Sequence, residues 1–211
     1  LQGVVGGLYA RAQGEPEDVA QAIYDQYEPV PRTPDGQVLA LADRLDTLEG
    51  FFGLGLMPTG SRDPFALRRA ALGVVRILVE GRHSLPIPPE LREFILDRVR
   101  YYFRDVRGYR YDEVNAVLAA GCERLPDAAD RLEAISRVRP TENFEPLATS
   151  FKRIKNILRQ AAWDSAEPPD PALIEAGPER DLYEESERVR ERVRGLGYAD
   201  ALAAIASLRP K

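Results

Sequence analysis

The chain is poor in the residues that build covalent and metal-centred chemistry. Its one cysteine, Cys122, leaves no partner for an internal disulfide, which accords with a reducing compartment. Its one histidine, His83, is too few for a multi-histidine metal centre. No apolar run reaches the ~18 residues that crossing a bilayer needs, and no leader pattern opens the chain. A Gly-rich phosphate loop, a dinucleotide fingerprint, a Cys/His zinc spacing and a nucleophile elbow are all missing. Positive charge is not in excess either. The chain has 34 acidic and 29 basic residues and a net charge of −5, which excludes a globally basic nucleic-acid binder. Any contact with RNA must then come from a local patch. Lysine is nearly absent, since all but three of the basic residues are arginine, whose planar fork suits phosphates and carboxylates.

What is present is the material of a folded helical protein. Apolar residues make up 44% of the 211 positions and charged residues 30%, enough for a core within one or two domains. Apolar spacing predicts helices almost throughout. They fall at 17–28 (Val19, Ala22, Ile23 and Tyr27 on one face), 37–52, 64–80, 89–106, 111–120, 127–137, 149–162, 179–194 and 198–208. Pro29, Pro31, Pro34 and Gly36 mark one loop, and residues 53–62 another. Asp63 reads as an N-cap with Pro64 in the first helical position. Gly81 reads as a left-handed stop, and Ser84 to Pro89 as extended. Asp112 reads as a cap and Gly121 as a stop. The run 167–178, with four prolines, reads as a linker. The helix at 179–194 interleaves Glu and Arg at i,i+3 and i,i+4. No strand pattern and no internal repeat stand out.

Three constellations carry chemistry. Asp43 and Asp46 lie three apart and share a helix side. They suit either acid–base work or ion pairs with Arg68 or Arg69 of the next helix. Arg69, Gly73 and Arg76 form one stripe, where the glycine lets a backbone or a phosphate come close. That stripe suits either contact with RNA or a partner, or intramolecular ion pairs. Lys152, Arg153, Lys155 and Arg159 form the densest basic cluster. Lys152, Lys155 and Arg159 share a face, while Phe151, Ile154 and Leu158 are expected to face a core. An RNA-backbone contact needs such a helix, and an ordinary solvated face has the same pattern. His83 is expected to be an exposed loop residue and Trp163 a packing anchor.

The wording of the chain adds a resemblance. Leu1-Gln2-Gly3-Val4-Val5-Gly6, Tyr9-Ala10-Arg11 and Gly14-Glu15 open it. Ala42-Asp43-Arg44-Leu45-Asp46-Thr47-Leu48, Gly50-Phe51-Phe52-Gly53 and the block from Pro58-Thr59-Gly60 to Gly73 follow. Lys152-Arg153-Ile154-Lys155-Asn156-Ile157-Leu158 and Tyr198-Ala199-Asp200-Ala201-Leu202 come last. This ordered set resembles the β subunit of bacterial heterotetrameric glycyl-tRNA synthetase in its HD-like helical region and beyond. Val5 stands where the family has Met, and residues 160–196 are only loosely similar.

The resemblance implies an all-α fold and a piece of a longer subunit. An HD-domain-like helical bundle is expected over 1–125 and a connecting helical region over 126–166. After the linker at 167–178, residues 179–211 are expected to begin an incomplete anticodon-binding domain. Asp43 looks like the last aspartate of an HD metal set, but that set needs a histidine and a His-Asp pair that this chain lacks. The implied role is a non-catalytic tRNA-recognition and assembly module, with Lys152, Arg153, Lys155, Arg159, Arg69 and Arg76 on the RNA. Asp43, Asp46 and Arg68 are then structural ion pairs. Also implied are a cytoplasmic α2β2 tetramer, glycine tRNA as the nucleic acid rather than DNA, no membrane, and no metal or cofactor in this piece. ATP and Mg would be used through the α subunit. Two alternatives stand beside it: a purely structural interface module without RNA contact, and a degenerate HD-type phosphohydrolase.

Overall fold

A computed structural model describes residues 2–142, 144–163, 168–206 and 208. Among them ten α-helices and no strand occur, with one isolated bridge between Thr59 and Arg62. The chain divides into two compact units, Leu1–Ala129 and Asp130–Lys211. No described helix is long and apolar enough to cross a membrane.

The first unit opens with a helical hairpin of α1 (Gln2–Ala12) and α2 (Glu17–Asp25). Small residues set its closeness: a Cβ on Gly7 would stand 2.6 Å from the Tyr24 Cβ, and Ala20 is fully buried. A fork from Arg11 to Glu17 braces the turn that joins the two helices. The turn after α2 is tied back by Arg32, whose Nε and Nη2 donate to the buried Asp25 carboxylate at 2.9 and 2.7 Å.

Helix α3 (Pro34–Gly53) starts three residues before the expected position, because Thr33 caps it and Pro34 fills its first turn. The Thr33 hydroxyl accepts from the Gly36 N–H at 3.1 Å. Helix α4 (Leu67–Glu80) starts three residues later than Pro64. Asp63 still caps it, accepting from the Leu67 and Arg68 N–H groups at 2.8 and 3.0 Å. Between them the chain makes a turn through Ala66, at φ 55°, that seats Phe65 on Phe51 with ring centroids 4.3 Å apart. The stop of α4 differs too. Gly81 stays right-handed at φ −79°, packed so closely that a Cβ would meet Gln37 Oε1 at 2.5 Å. The left-handed reversal falls on Arg82, at φ 56°.

The predicted single helix over 89–106 is three pieces. A 3-10 turn (Pro89–Leu91) leads into α5 (Arg92–Tyr101), which widens into a π-turn (Tyr102–Val106). The widened turn buries two successive rings, Tyr102 and Phe103, which ordinary helical spacing would set apart. With Leu41, Leu48, Val74, Ile77, Ile95 and Val99 they form the core of the unit. At the start of helix α6 (Tyr111–Ala119) the expected Asp112 accepts from the Glu113 N–H, and Glu113 in turn accepts from the Arg110 N–H. Gly121 follows it at φ 102°.

Helix α7 (Leu125–Val138) runs from the end of the first unit into the second. The rest of the second unit is α8 (Phe144–Gln160), a 3-10 turn (Pro171–Leu173), α9 (Pro178–Val193) and α10 (Tyr198–Ala206). Its buried apolar residues are few, among them Leu132, Ile174, Val189 and Ala204. The turn inside the Pro-rich stretch is capped by Asp170, which accepts from the Ala172 N–H. Helix α9 carries the expected ion-pair ladder, with Arg188–Glu185, Arg190–Glu187 and Arg194–Glu191 within 3.1 Å. Residue 167 and position 207 of the last predicted helix lie outside the described residues.

Candidate nucleic-acid interface

The α3–α4 hairpin and the turn after α2 enclose a groove of about 580 Å³. Its lining includes Tyr27, Asp43, Arg44, Phe65, Arg69, Gly73 and Arg76. The predicted stripe on α4 thus faces the predicted acidic position on α3. What crosses Gly73 in this structure is the Arg44 side chain. A Cβ at position 73 would stand 2.5 Å from Arg44 Nε and 2.9 Å from its Cδ. Arg44 then donates from Nη1 to the Ala40 carbonyl and from Nη2 to the Glu28 carbonyl, each at 3.0 Å. Burial pushes its pKa below the ordinary arginine value, and the neighbouring Asp43 charge opposes that shift. An arginine remains cationic over the whole accessible range, so Arg44 lays a fixed positive charge in the groove.

Arg69 is exposed at the groove, and Arg76 is half-buried in its wall. The Arg76 Nε–H is buried without an acceptor among the described residues. A buried donor without a partner costs about 1–3 kcal/mol, more for a charged group, which a bound acceptor would recover. Two exposed rings, Tyr27 and Phe65, also line the groove. Helical spacing had placed Tyr27 on the inner face of its helix. It lies past the end of α2 and is 56% exposed.

The expected pairing of Asp43 and Asp46 with Arg68 is not what the side chains do. Arg68 donates to the carbonyls of Gly60 and Arg62, holding the loop before α4. Both aspartates are exposed, and neither makes an ion pair among the described residues. The loop carbonyls lie next to the start of α4 and take up the Arg68 guanidinium in place of the α3 carboxylates.

Helix α8 presents Lys152, Arg153, Lys155 and Arg159 to solvent, and among the described residues none has a side-chain hydrogen bond or ion pair. Its other face corrects the expectation that Phe151, Ile154 and Leu158 meet a core. No residue of α8 is buried, and these three and Ile157 are all exposed. The helix is amphipathic, but among the described residues the second unit buries none of its apolar side chains. Trp163, expected to anchor packing, is likewise 59% exposed. His83 is not a free loop residue: its Nε2–H donates to Gln37 Oε1 at 2.6 Å, while Gln37 Nε2 donates to the Pro31 carbonyl. Among the described residues no group of three or more His, Cys, Asp or Glu is placed to hold a metal ion.

Sequence reasoning found Arg69, Gly73, Arg76 and the basic cluster of α8. It missed Arg44, Tyr27 and Phe65 as groove residues. The one signal for Arg44 was Gly73, a glycine in mid-helix that had to be admitting something.

These features define an all-α protein with two cationic surfaces, a groove and an open helix face. Comparison with known proteins places it further. The sequence model of a family described as glycyl-tRNA synthetase beta subunit matches residues 1–119. The glycine–tRNA ligase beta subunit of Acidobacterium capsulatum is 45% identical, covering 100% of this chain and 35% of its own length. That of Chromohalobacter salexigens is 39% identical over 99% of this chain, and that of Desulfatibacillum aliphaticivorans 35% identical over 100%. The chain belongs to the glycyl-tRNA synthetase beta-subunit family. It spans about 35% of the length of these relatives.

Proposed function

We propose that the chain is a non-catalytic RNA-contact and assembly module acting in the ATP-dependent glycylation of tRNA. The observation that carries this reading is α8: four cations on a solvent-facing helix that no described carboxylate neutralises. Such a surface binds a phosphate backbone by displacing its counterions, which fixes the RNA without reading its sequence. The groove cations Arg69 and Arg76 add a second, smaller contact. The chemistry on amino acid, ATP and Mg belongs in this reading to an α subunit, with which the longer β subunit forms a cytoplasmic α2β2 assembly on glycine tRNA. The module positions RNA; it does not transfer groups.

The exposed apolar side of α8 favours a second reading, a packing surface for the rest of the assembly without RNA contact. Titration of the chain with glycine tRNA and with an unrelated tRNA, at low and moderate salt, separates the two. In the RNA reading, affinity falls steeply with salt. Lys152→Glu/Lys155→Glu then weakens it and flattens the log–log salt dependence by about one unit per lost phosphate contact. No binding at low salt leaves the packing reading alone.

A further inference from the structure

The geometry points to the α3–α4 groove as a seat for one unpaired nucleotide of an RNA strand, its phosphate on Arg69 and Arg76 and its base on Tyr27 or Phe65. The inference rests on the reading that the chain binds RNA, and it names a site separate from α8. Three guanidinium groups and one carboxylate, Asp43, line the groove, so its balance is positive. Arg44 is committed to backbone carbonyls and supplies charge rather than a free fork. Arg69 and Arg76 have no hydrogen-bond or ion-pair partner among the described residues, and the Arg76 Nε–H is buried and lacks an acceptor. A phosphate accepts from such forks in pairs.

Anion chemistry alone would suit an acidic peptide equally. The rings decide between them. Tyr27 and Phe65 are 56% and 48% exposed on the same groove, and Phe65 is held in place by its contact with Phe51. Exposed aromatic faces beside unpaired arginines are what splayed, single-stranded bases stack on. A base inside a duplex offers no free face, so the groove selects an unpaired nucleotide.

The test uses the 211-residue chain with a labelled six-nucleotide single-stranded RNA and with the same sequence as a duplex. Arg69→Gln/Arg76→Gln is expected to weaken single-strand binding by about tenfold and duplex binding far less. Lys152→Glu/Lys155→Glu is expected to weaken both, since it removes backbone contacts that a single strand and a duplex share. Equal single-strand affinity in wild type and Arg69→Gln/Arg76→Gln overturns the proposal. Displacement of the strand by AMP or pyrophosphate at matching concentrations also overturns it, since the groove would then serve a free nucleotide or phosphate. Photocrosslinking on the wild-type chain gives an answer independent of variant folding. Adducts at Tyr27 or Phe65 support the site, and adducts confined to residues 144–160 overturn it while leaving the α8 reading intact. Absence of binding to every RNA removes both readings together.

Discussion

Arg44 occupies the space that a side chain at position 73 would fill. A Cβ on Gly73 would come within 2.5 Å of the Arg44 Nε. The pairing joins three segments, because the same guanidinium reaches the Ala40 carbonyl on α3 and the Glu28 carbonyl beyond α2. Gly73→Ala is therefore expected to push Arg44 off one or both carbonyls and to cost about 1–3 kcal/mol by overpacking. Gly50→Ala is the matched control. Gly50 lies in α3 with open space around its missing Cβ, so alanine there is expected to stabilise by about 0.5–1 kcal/mol. Urea denaturation of the two variants checks the contrast, and equal effects at both positions would contradict the close approach.

The buried Asp25 carboxylate sets an acid limit on the first hairpin. Its side-chain bonds from Arg32 hold its pKa below the ordinary aspartate value, against the opposing effect of burial. A depressed folded-state pKa contributes stability that is present above the unfolded value. That contribution is lost as pH falls below about 4 toward the folded value. Asp25→Asn is expected to lower stability at pH 7 and to remove this share of the acid dependence. Thermal melts of both proteins between pH 7 and pH 2 would show curves that converge at the acid end. Parallel curves would refute the assignment.

Tyr102 joins the end of α4 to the π-turn. Its hydroxyl donates to Glu80 Oε1 at 2.8 Å and accepts from Arg107 Nη1 at 3.3 Å. Burial, helped by Glu80 and opposed by Arg107, raises its pKa above the ordinary tyrosine value. Alkaline difference spectroscopy should find a tyrosine that ionises only above that range and that disappears in Tyr102→Phe. The same variant should lose about 1 kcal/mol of stability, the worth of an ordinary hydrogen bond.

Helix α8 is a surface element, whereas Leu132 of α7 belongs to the core. Phe151→Ala and Ile154→Ala remove side chains that are more than half exposed, and each is expected to change stability by no more than about 0.5 kcal/mol. Leu132→Ala removes a fully buried side chain and is expected to cost about 2–5 kcal/mol. Chemical denaturation compares them directly. A large loss at Phe151 would mean that the apolar face of α8 is covered within this chain.

Much of the helix order was legible because its signals are local. Thr33, Pro34 and Asp63 act on backbone groups within five residues, and the ladder of α9 on neighbours three and four residues away. The errors at α4 arose where a distant contact outweighed a local preference. Stacking on Phe51 delays the helix past Pro64, and the seat of Gln37 beside Gly81 moves the left-handed residue to Arg82.

The candidate site was half legible for the same reason. Spacing along one helix puts Arg69, Gly73 and Arg76 in line, and no spacing brings Arg44 or Tyr27 to them. Amphipathic periodicity describes two faces of α8 but not what covers either, so a core was expected where the helix stands open. Sequence by itself determined the all-α class, the main helices and the basic clusters, since caps, periodicity and composition act over a few residues. Tertiary structure alone decided that Arg44 crosses Gly73, that Arg68 turns to its own loop, and that a cationic groove lies between α3 and α4. Those outcomes depend on which groups the folded chain brings within reach of a given donor or space, and the free energies of the competing contacts decide among them.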